Sequence, residues 1–366
     1  MSLVKKGEWW EETRNFKKTV KEEYLDINET LAELENNSSV IRLELNTIEL
    51  PLFSKDPKRI KNQIKIYHFK TDKSSYLEIE APANYSIPGE FEERVFIALT
   101  KIMKNNNYSR SFVVSANEIL ETLGLSNKAY YKRIREALTL LSKTNYTFLN
   151  SLYSNKESGI IEKKIMSSIM NITIISKKDS RAKEIEAFED GRIKEVYEIN
   201  FTDYFYENII RKGYLAFDSG KLLAIENSVS RAIYTIVEKW RGYDLYIKRQ
   251  AFFIARRIPL KWDKTQIKRT IDTMEKALIE LRNLNLIKDY KIIKEKKWEL
   301  AEIEITYEES HNKTKRDTFF TEKNEFNSMD MLVTSTEEKI KCISEDFHSG
   351  EISEILNMFP EKVLEM

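Results

Sequence analysis

The amino-acid sequence predicts an α+β protein in which one small module of helices and strands occurs twice. Three observations support this prediction. Segments with helical periodicity alternate with short strand-like segments from residue 40 to residue 307. The order of the segments around residues 86–149 recurs around residues 228–307. The chain has 366 residues, 41% of them hydrophobic and 33% charged, which is enough for two globular domains of ordinary size.

The first module is predicted over residues 45–215. A strand is predicted over residues 40–53 where this module begins, and a hairpin of two strands follows over residues 63–82. A helix is then predicted to begin near Pro88, because proline favours the first helical turn and acidic residues follow it.

A helix-turn-helix is predicted next in this module. Ser115 is predicted to cap a short helix, with Glu118 at the capping-box position, and Gly124 is predicted to end that helix. Ser126 is predicted to cap the next helix, residues 126–144, after a turn of only three residues. Strand-like segments follow this helix. The order of helix, strand, helix, short turn, helix and β-ribbon is that of a winged-helix domain.

The second module is predicted over residues 216–307. It contains an amphipathic helix at 228–240, a longer helix at 263–287 with Asp263 as its N-cap, and two final strands joined by a lysine-rich turn. A shift of 140 positions aligns the apolar residues of the two long helices in these pairs: Ile134 with Met274, Ala137 with Ala277, Leu138 with Leu278, and Leu141 with Leu281. The sequence therefore predicts two tandem winged-helix domains.

The two ends of the chain differ from the modules. Residues 1–44 are predicted to be an N-terminal helical extension, which either mediates a homodimer or covers a sheet. Residues 308–366 are predicted to be an acidic, partly disordered tail, in which a polar linker precedes short helices. This tail has 14 acidic and 7 basic residues, so the rest of the chain carries a net charge of about +8. The net positive charge of residues 1–307 suits a polyanionic partner. A basic surface that contacts only solvent, together with an acidic tail, would give the same charge balance.

The helix at 126–144 has an apolar face and a cationic face. Ile134 and Leu138 fall on the apolar stripe, whereas Lys132 and Arg135 fall on the opposite side. A helix fits the major groove, where Arg and Lys donate to guanine and Tyr or Thr reach phosphates. A solvated helix face is the alternative interpretation. The predicted DNA-binding residues of this helix are Asn127, Lys128, Tyr131, Lys132 and Arg135.

The helix at 263–287 and its flanking turns are also cationic. Residues 248–299 contain 15 basic and 7 acidic residues. The lysines after the helix suit phosphate or minor-groove contact, and they equally suit an edge hairpin protected against aggregation. The two arginines before it suit either a phosphate clamp or ion pairs with the acidic tail. The predicted DNA-binding residues of this module are Arg256, Arg257, Lys264, Thr265, Gln266, Lys268, Arg269, Lys294, Lys296 and Lys297.

Signatures of catalysis and of metal binding are not found in the sequence. There is no G-x-x-x-x-G-K-[ST] phosphate loop, and 9 glycines leave little room for another glycine-rich phosphate site. The 3 histidines lie far from one another and the chain has a single cysteine, Cys342, so neither a metal site nor a disulfide is predicted. No transmembrane span or secretory signal is predicted. We therefore expect a cytoplasmic, non-catalytic protein with no cofactor and no membrane partner.

Several stretches of the chain resemble the plasmid replication initiator A family of bacteria. The most specific is the run Y-x-R-[IV]-x-E-A-L-x-x-L-x-x-T, which spans residues 131–144 here. Ser86 stands where the family usually has a glycine, two residues before Pro88. The resemblance covers about residues 45–300. The other matching stretches are NTIELPLFS, YSIPGEFEERVFIALTKIM, YEINFTDYFYENIIRKGYLAFD and SRAIYTIVEKW.

This resemblance implies a two-winged-helix initiator that binds repeated sites at a plasmid origin, opens the duplex locally and recruits the host helicase. Combined with the cationic helices, it predicts sequence-specific binding of double-stranded DNA. Two alternatives remain at this stage. One is a winged-helix transcriptional regulator, and the other is a mobile-element-encoded winged-helix scaffold that binds a protein or RNA partner.

Overall fold

Helices and strands alternate along the described part of the chain, which confirms the predicted α+β fold class. The computed structural model describes residues 39–333 except 71–72, 180, 182, 187, 189–192, 263–264 and 295. The strands are β1 Val40–Glu44, β2 Ile64–His68, β3 Tyr76–Glu80, β4 Ser111–Val114, β5 Asn145–Leu149, β6 Tyr153–Ser154, β7 Gly159–Ile160, β8 Lys164–Ser167, β9 Met170–Ser176, β10 Glu195–Phe201, β11 Tyr214–Asp218, β12 Tyr246–Gln250, β13 Asp289–Ile293 and β14 Glu302–Thr306. The helices are α1 Leu45–Glu49, α2 Glu90–Asn105, α3 Ala116–Thr122, α4 Tyr130–Lys143, α5 Lys183–Glu186, α6 Asp203–Ile210, α7 Ser219–Ala224, α8 Ser228–Arg241, α9 Ala251–Arg257, α10 Ile267–Asn283 and α11 Glu309–Val333.

Strand β1 ends earlier than the sequence predicts. Alternation over residues 40–53 predicts one long strand, but the chain turns into helix α1 directly after Glu44. The Glu44 carboxylate caps this helix by accepting a hydrogen bond of 3.0 Å from the backbone N–H of Thr47. β1 pairs antiparallel with β11, so that Val40 lies opposite Asp218.

The first half of the molecule, residues 40–218, contains a set of three helices and a three-stranded sheet. Elements α2, β4, α3, α4, β9 and β10 follow one another in the order helix, strand, helix, helix, strand, strand, with β5 to β8 inserted after α4. β10 pairs antiparallel with both β4 and β9, so the third strand of this set lies between the first and the second.

The inserted strands build a second sheet in the first half. β5 and β8 join β2 and β3 in the order β2-β3-β5-β8. The predicted hairpin is confirmed, because β2 and β3 pair antiparallel with Ile64 opposite Glu80. Alternate residues of the two central strands, such as Leu77 and Phe148, are buried in the core.

The second half, residues 228–307, repeats the order of elements without an insertion. α8, β12, α9, α10, β13 and β14 again follow as helix, strand, helix, helix, strand, strand. β14 is the central strand, where Thr306 faces Tyr246 of β12 on one side and Asp289 of β13 on the other. The sheet order is therefore the same as in the first half.

The two halves share one hydrophobic core. Ile134 of α4 and Met274 of α10, which the sequence aligns, are both 0% exposed and belong to one cluster that runs through both halves. The described residues up to Phe319 form one compact unit, and those from 320 onward belong to another. The predicted domain boundary at 215/216 falls inside strand β11, and the division into two winged-helix domains stays a prediction.

The two candidate recognition helices begin later than predicted. Helix α4 begins at Tyr130 instead of Ser126, because the Asn127 side chain accepts a hydrogen bond of 2.9 Å from the N–H of Ala129 and holds a turn there. The link between α3 and α4 is therefore longer than the predicted three-residue turn. Helix α10 begins at Ile267, and the predicted cap Asp263 lies outside the described residues.

The prediction of a polar linker after residue 307 is wrong, because helix α11 occupies Glu309–Val333. Polar groups hold its first turns in place. The Lys315 ammonium donates to the backbone oxygens of Glu238 and Gly242 at 2.6 and 2.5 Å. Asn312 is 4% exposed and donates to the Tyr243 oxygen at 2.6 Å. Hydrophobic periodicity cannot reveal a helix that is docked by polar side chains.

The predictions for the chain ends are only partly within the described residues. Residues 40–44 of the predicted N-terminal helical extension form strand β1, and residues 1–38 lie outside the described part. Residues 334–366, with the predicted short acidic helices and Cys342, also lie outside it. None of the helices that the structure describes is long and apolar enough to cross a membrane.

Candidate nucleic-acid interface

Helix α4 presents the predicted polar face to solvent. Its apolar stripe is buried, with Ile134 and Leu141 both at 0% exposure. Lys132 and Arg135 are exposed on the other side, three residues apart and therefore neighbours on one helical face. Asn127 and Lys128 are exposed in the turn before the helix, which places them next to its N-terminal end.

Tyr131 connects α4 with the preceding helix. Its hydroxyl donates a hydrogen bond of 2.8 Å to the side-chain oxygen of Asn117 in α3, and its ring is half-buried. The neighbouring Arg133 is exposed, and its guanidinium lies 4.1 Å from the centre of the Phe91 ring. Tyr131 thus links α4 to α3, and its role in DNA binding stays a prediction.

Arg135 forms an ion pair on the exposed surface. Its Nη2 atom lies 3.4 Å from Oε2 of Glu195 at the start of β10, and the two side chains are 54% and 29% exposed. The other oxygen of Glu195 accepts a hydrogen bond of 2.5 Å from the Tyr197 hydroxyl. Burial, followed by this hydrogen bond, raises the pKa of Tyr197, so its phenol keeps the proton that it donates to Glu195. Glu195 is therefore held in place beside Arg135.

Helix α10 presents a second set of exposed cations. Lys268 and Arg269 are exposed in its first turn, whereas Ile271 and Leu278 on the other side are 1% and 0% exposed. Thr265 and Gln266 lie in the turn before the helix, and Gln266 occupies the N-cap position. Lys264, the remaining predicted residue of this segment, lies outside the described residues.

Arg256 and Arg257 contact the first half of the molecule. Arg256 is exposed and donates a hydrogen bond of 3.0 Å to the backbone oxygen of His68. Arg257 lies 3.5 Å from the Oε2 atom of Glu49 in α1, and its side chain is only 30% exposed. The structure thus places Arg257 in an internal ion pair rather than on an open surface.

The turn between β13 and β14 carries the predicted lysines. Lys294, Lys296 and Lys297 are exposed. The Lys294 ammonium lies 4.7 Å from the centre of the Trp298 ring, which packs against the core and anchors the turn. This turn therefore places cations at the end of the second half's sheet.

A comparable cationic connection in the first half was not among the predicted site residues. It joins β9 to β10 over residues 177–194 and begins with a turn before helix α5. Lys177 and Lys178 are exposed at its start, and Arg181 is paired with Glu184 and Glu198 at 2.5 and 2.7 Å. The cations of the segment KKDSRAK, placed between two strand-like runs, are the signal that would have indicated this turn.

The charged groups of these surfaces do not form a metal site. Within the described residues, no group of three His, Cys, Asp or Glu side chains is placed to hold a metal ion. What the geometry brings together on the predicted helix faces is Lys, Arg, Asn, Gln, Thr and Tyr, which donate to phosphate oxygens and to base edges.

More than half of the chain matches one known protein family. The family model described as replication initiator protein A matches residues 42–247, which is more than half of the 366 residues. The chain belongs to the replication initiator protein A family. The match covers the first half of this initiator from Arg42 onward and ends within β12, so α9, α10 and the β13–β14 turn lie beyond it.

Solved structures with a similar chain path include domains 2 and 3 of RctB and the Pi initiator protein in complex with iteron DNA. The RctB structure has a TM-score of 0.49 and 12% identity, and the alignment covers 72% of this initiator and 98% of that chain. The Pi structure has a TM-score of 0.44 and 14% identity, with 75% and 99% of the two chains covered. No curated protein sequence matches the chain.

Proposed function

We propose that the protein is a non-catalytic plasmid replication initiator that binds double-stranded origin DNA sequence-specifically through two winged-helix domains. One observation carries this proposal. Two helices at equivalent positions of a repeated element order, α4 and α10, both expose cations near their N-terminal ends. The N-terminal part of a recognition helix is the part that enters the major groove.

The order of elements supports the winged-helix assignment. In each half, two helices and a strand precede the third helix, and two strands of a three-stranded sheet follow it. In this arrangement the third helix is the recognition helix, and the turn between the last two strands is the wing. The assignment makes α4 and α10 the recognition helices, with the β9–β10 and β13–β14 turns as their wings.

The exposed side chains differ in what they can recognise. Arg135 and Arg269 have planar guanidinium groups that can donate two hydrogen bonds to the O6 and N7 atoms of one guanine. The lysines at the start of the helices and in the wings, such as Lys128 and Lys296, suit phosphate oxygens. We therefore assign sequence discrimination mainly to the two arginines and general affinity to the lysines.

The charge of the body supports a polyanionic partner. Residues 1–307 carry a net charge of about +8, whereas residues 308–366 carry about −7. Because Lys and Arg would displace cations condensed on DNA, binding should weaken steeply as salt increases. We assign no residues to duplex opening, to recruitment of the host helicase or to a homodimer.

The test is a mobility-shift titration with duplex DNA that the full-length protein has selected from a random-sequence pool. Arg135→Ala and Arg269→Ala are each expected to lower affinity by about 5- to 150-fold, because one bidentate arginine–guanine contact contributes about 1–3 kcal/mol. Arg211→Ala is the matched control, since Arg211 is an exposed arginine at the end of α6, outside the repeated elements. Wild-type affinity in both helix variants would overturn the assignment.

A further inference from the structure

We propose that two ion pairs between the halves fix the separation and the angle of α4 and α10, so that the protein accepts only DNA sites whose two half-sites have one spacing. This inference rests on the proposed DNA-binding function. Its residues lie away from both helix faces and would act as positioning residues.

The first ion pair joins the first helices of the two halves. Glu93 of α2 lies 3.1 Å from Arg231 of α8, and these side chains are 13% and 1% exposed. The other Glu93 oxygen lies 2.7 Å from the Lys55 ammonium, which belongs to the first half. A second guanidinium nitrogen of Arg231 donates a hydrogen bond of 2.6 Å to the backbone oxygen of Ile225 in the connecting segment.

The second ion pair joins α1 to the second half. Glu49 is 4% exposed, and its Oε1 atom lies 2.5 Å from the Lys239 ammonium of α8. Its other oxygen lies 3.5 Å from Arg257 of α9. Glu49 is thus held by two cations that come from two different helices of the second half, which restricts both sliding and rotation at this contact.

Both carboxylates remain charged in this environment. Burial alone would raise the pKa of Glu93, but the charges of Lys55 and Arg231 outweigh burial and lower it. Burial likewise opposes ionisation of Glu49, and the charges of Lys239 and Arg257 again lower its pKa. An ion pair with little access to water resists separation, because moving the partners apart leaves each charge poorly solvated.

The ion pairs are connected to the candidate recognition helices by direct packing. α4 packs against α2, and α10 packs against α8. The Glu280 carboxylate of α10 also accepts hydrogen bonds from the Asn227 N–H at 3.2 Å and the Ser230 hydroxyl at 2.5 Å, at the N-terminus of α8. The path from one recognition helix to the other is therefore α4, α2, α8, α10, and the Glu93–Arg231 pair is its central contact.

A fixed pair of helices cannot follow a change in half-site spacing. B-DNA has about 10.5 base pairs per turn, so one inserted base pair rotates the second half-site by about 34° and moves it by about 3.4 Å. A flexible connection between the halves would absorb this change. With the halves fixed, the second helix would face the backbone instead of its groove.

The first experiment measures the distance between the helices without DNA. Spin labels are placed on full-length protein at Glu136→Cys in α4 and Lys276→Cys in α10, both exposed positions, after Cys342→Ser removes the single native cysteine. Pulsed electron double resonance should give one narrow distance distribution. Arg231→Gln combined with Lys239→Gln should broaden it, because the Glu93–Arg231 pair is lost and Glu49 keeps only its longer contact with Arg257, at 3.5 Å. Lys55 and Arg257 still neutralise Glu93 and Glu49, which preserves the fold.

The matched control breaks an ion pair inside one half. Arg211→Gln removes the partner of Glu207, which lies 2.5 Å away in α6, and it should leave the distribution narrow. If the double variant does not fold, Lys239→Gln alone, at a side chain with 19% exposure, is compared with the wild type instead, and it should also broaden the distance distribution. A broad distribution in the wild type, or an unchanged one in the folded variants, would overturn the role of these ion pairs.

The second experiment measures tolerance of half-site spacing. Sites selected by the wild type should share one spacing, and one inserted base pair should lower affinity at least about 10-fold. Arg231→Gln with Lys239→Gln should reduce that loss to about 3-fold or less. Selected sites of variable spacing contradict the inference while leaving DNA binding intact. If no sequence is selected at all, the proposed function fails, and the spin-label distances still report on the ion pairs.

Discussion

Replacing Glu195 with glutamine tests whether the Arg135–Glu195 ion pair lowers the affinity of the protein for DNA. Arg135 lies 3.4 Å from the Glu195 carboxylate, and both side chains are partly exposed. To reach DNA, the arginine must leave this partner. An ion pair with this much solvent contributes about 0.5–1 kcal/mol, which corresponds to about a two- to five-fold change in a binding constant. Glu195→Gln should therefore raise affinity for random-sequence DNA by about that factor.

The assay is fluorescence anisotropy with a random-sequence duplex and with a selected site, at about 0.1 M salt, where the screening length is about 10 Å. The glutamine still accepts the hydrogen bond from Tyr197, so the side chain should keep its place. Glu136→Gln is the matched control, because it makes the same charge change at an exposed position of α4. An equal effect of the two substitutions, or no effect of Glu195→Gln, would refute the reasoning.

Two further predictions concern stability. Burial raises the pKa of Glu44 from 4.5 to about 7, so the folded state binds this proton more tightly and the stability it contributes at low pH is lost as pH rises through about 7. The urea-unfolding free energy of the wild type minus that of Glu44→Gln should fall by up to a few kcal/mol between pH 5 and pH 8, and a flat difference would contradict this. Lys315→Met should lower unfolding free energy by about 3 kcal/mol, because Glu238 loses one of its cations and two backbone oxygens lose a donor. Lys313→Met, at an exposed position of the same helix, should change it little, and equal effects would show that α11 is not held by Lys315.

Elements whose apolar residues repeat with one clear period could be predicted from the sequence. The buried stripes of α4 and α10 follow the helical period, and the β2–β3 hairpin follows the alternation of strands. The capping of α3 by Ser115 was predictable because a local side-chain hydrogen bond, 3.1 Å to the N–H of Glu118, determines it. The start of α4 could not be predicted in this way. Ser126 is also a residue type that caps helices, but the Asn127 side chain holds a turn there and the helix begins only at Tyr130.

Features that depend on distant residues could not be predicted. Exposure of Lys132 and Arg269 follows from helical periodicity, but the pairing of Arg135 with Glu195 and of Arg257 with Glu49 joins residues far apart in sequence. Helix α11 could not be predicted for the same reason, because its buried contacts are polar and join residues far apart in the sequence. The charge of a side chain is visible in the sequence, whereas its partner is a property of the fold.

The pairing of β1 with β11 has a consequence for synthesis of the chain. Val40 emerges from the ribosome long before its partner Asp218. At about 5–20 residues per second, the ribosome needs about 10 to 35 s to make the intervening segment. During that time β11 is not available to pair with strand β1. We therefore expect ribosome-associated chaperones to bind nascent chains that end between these two strands.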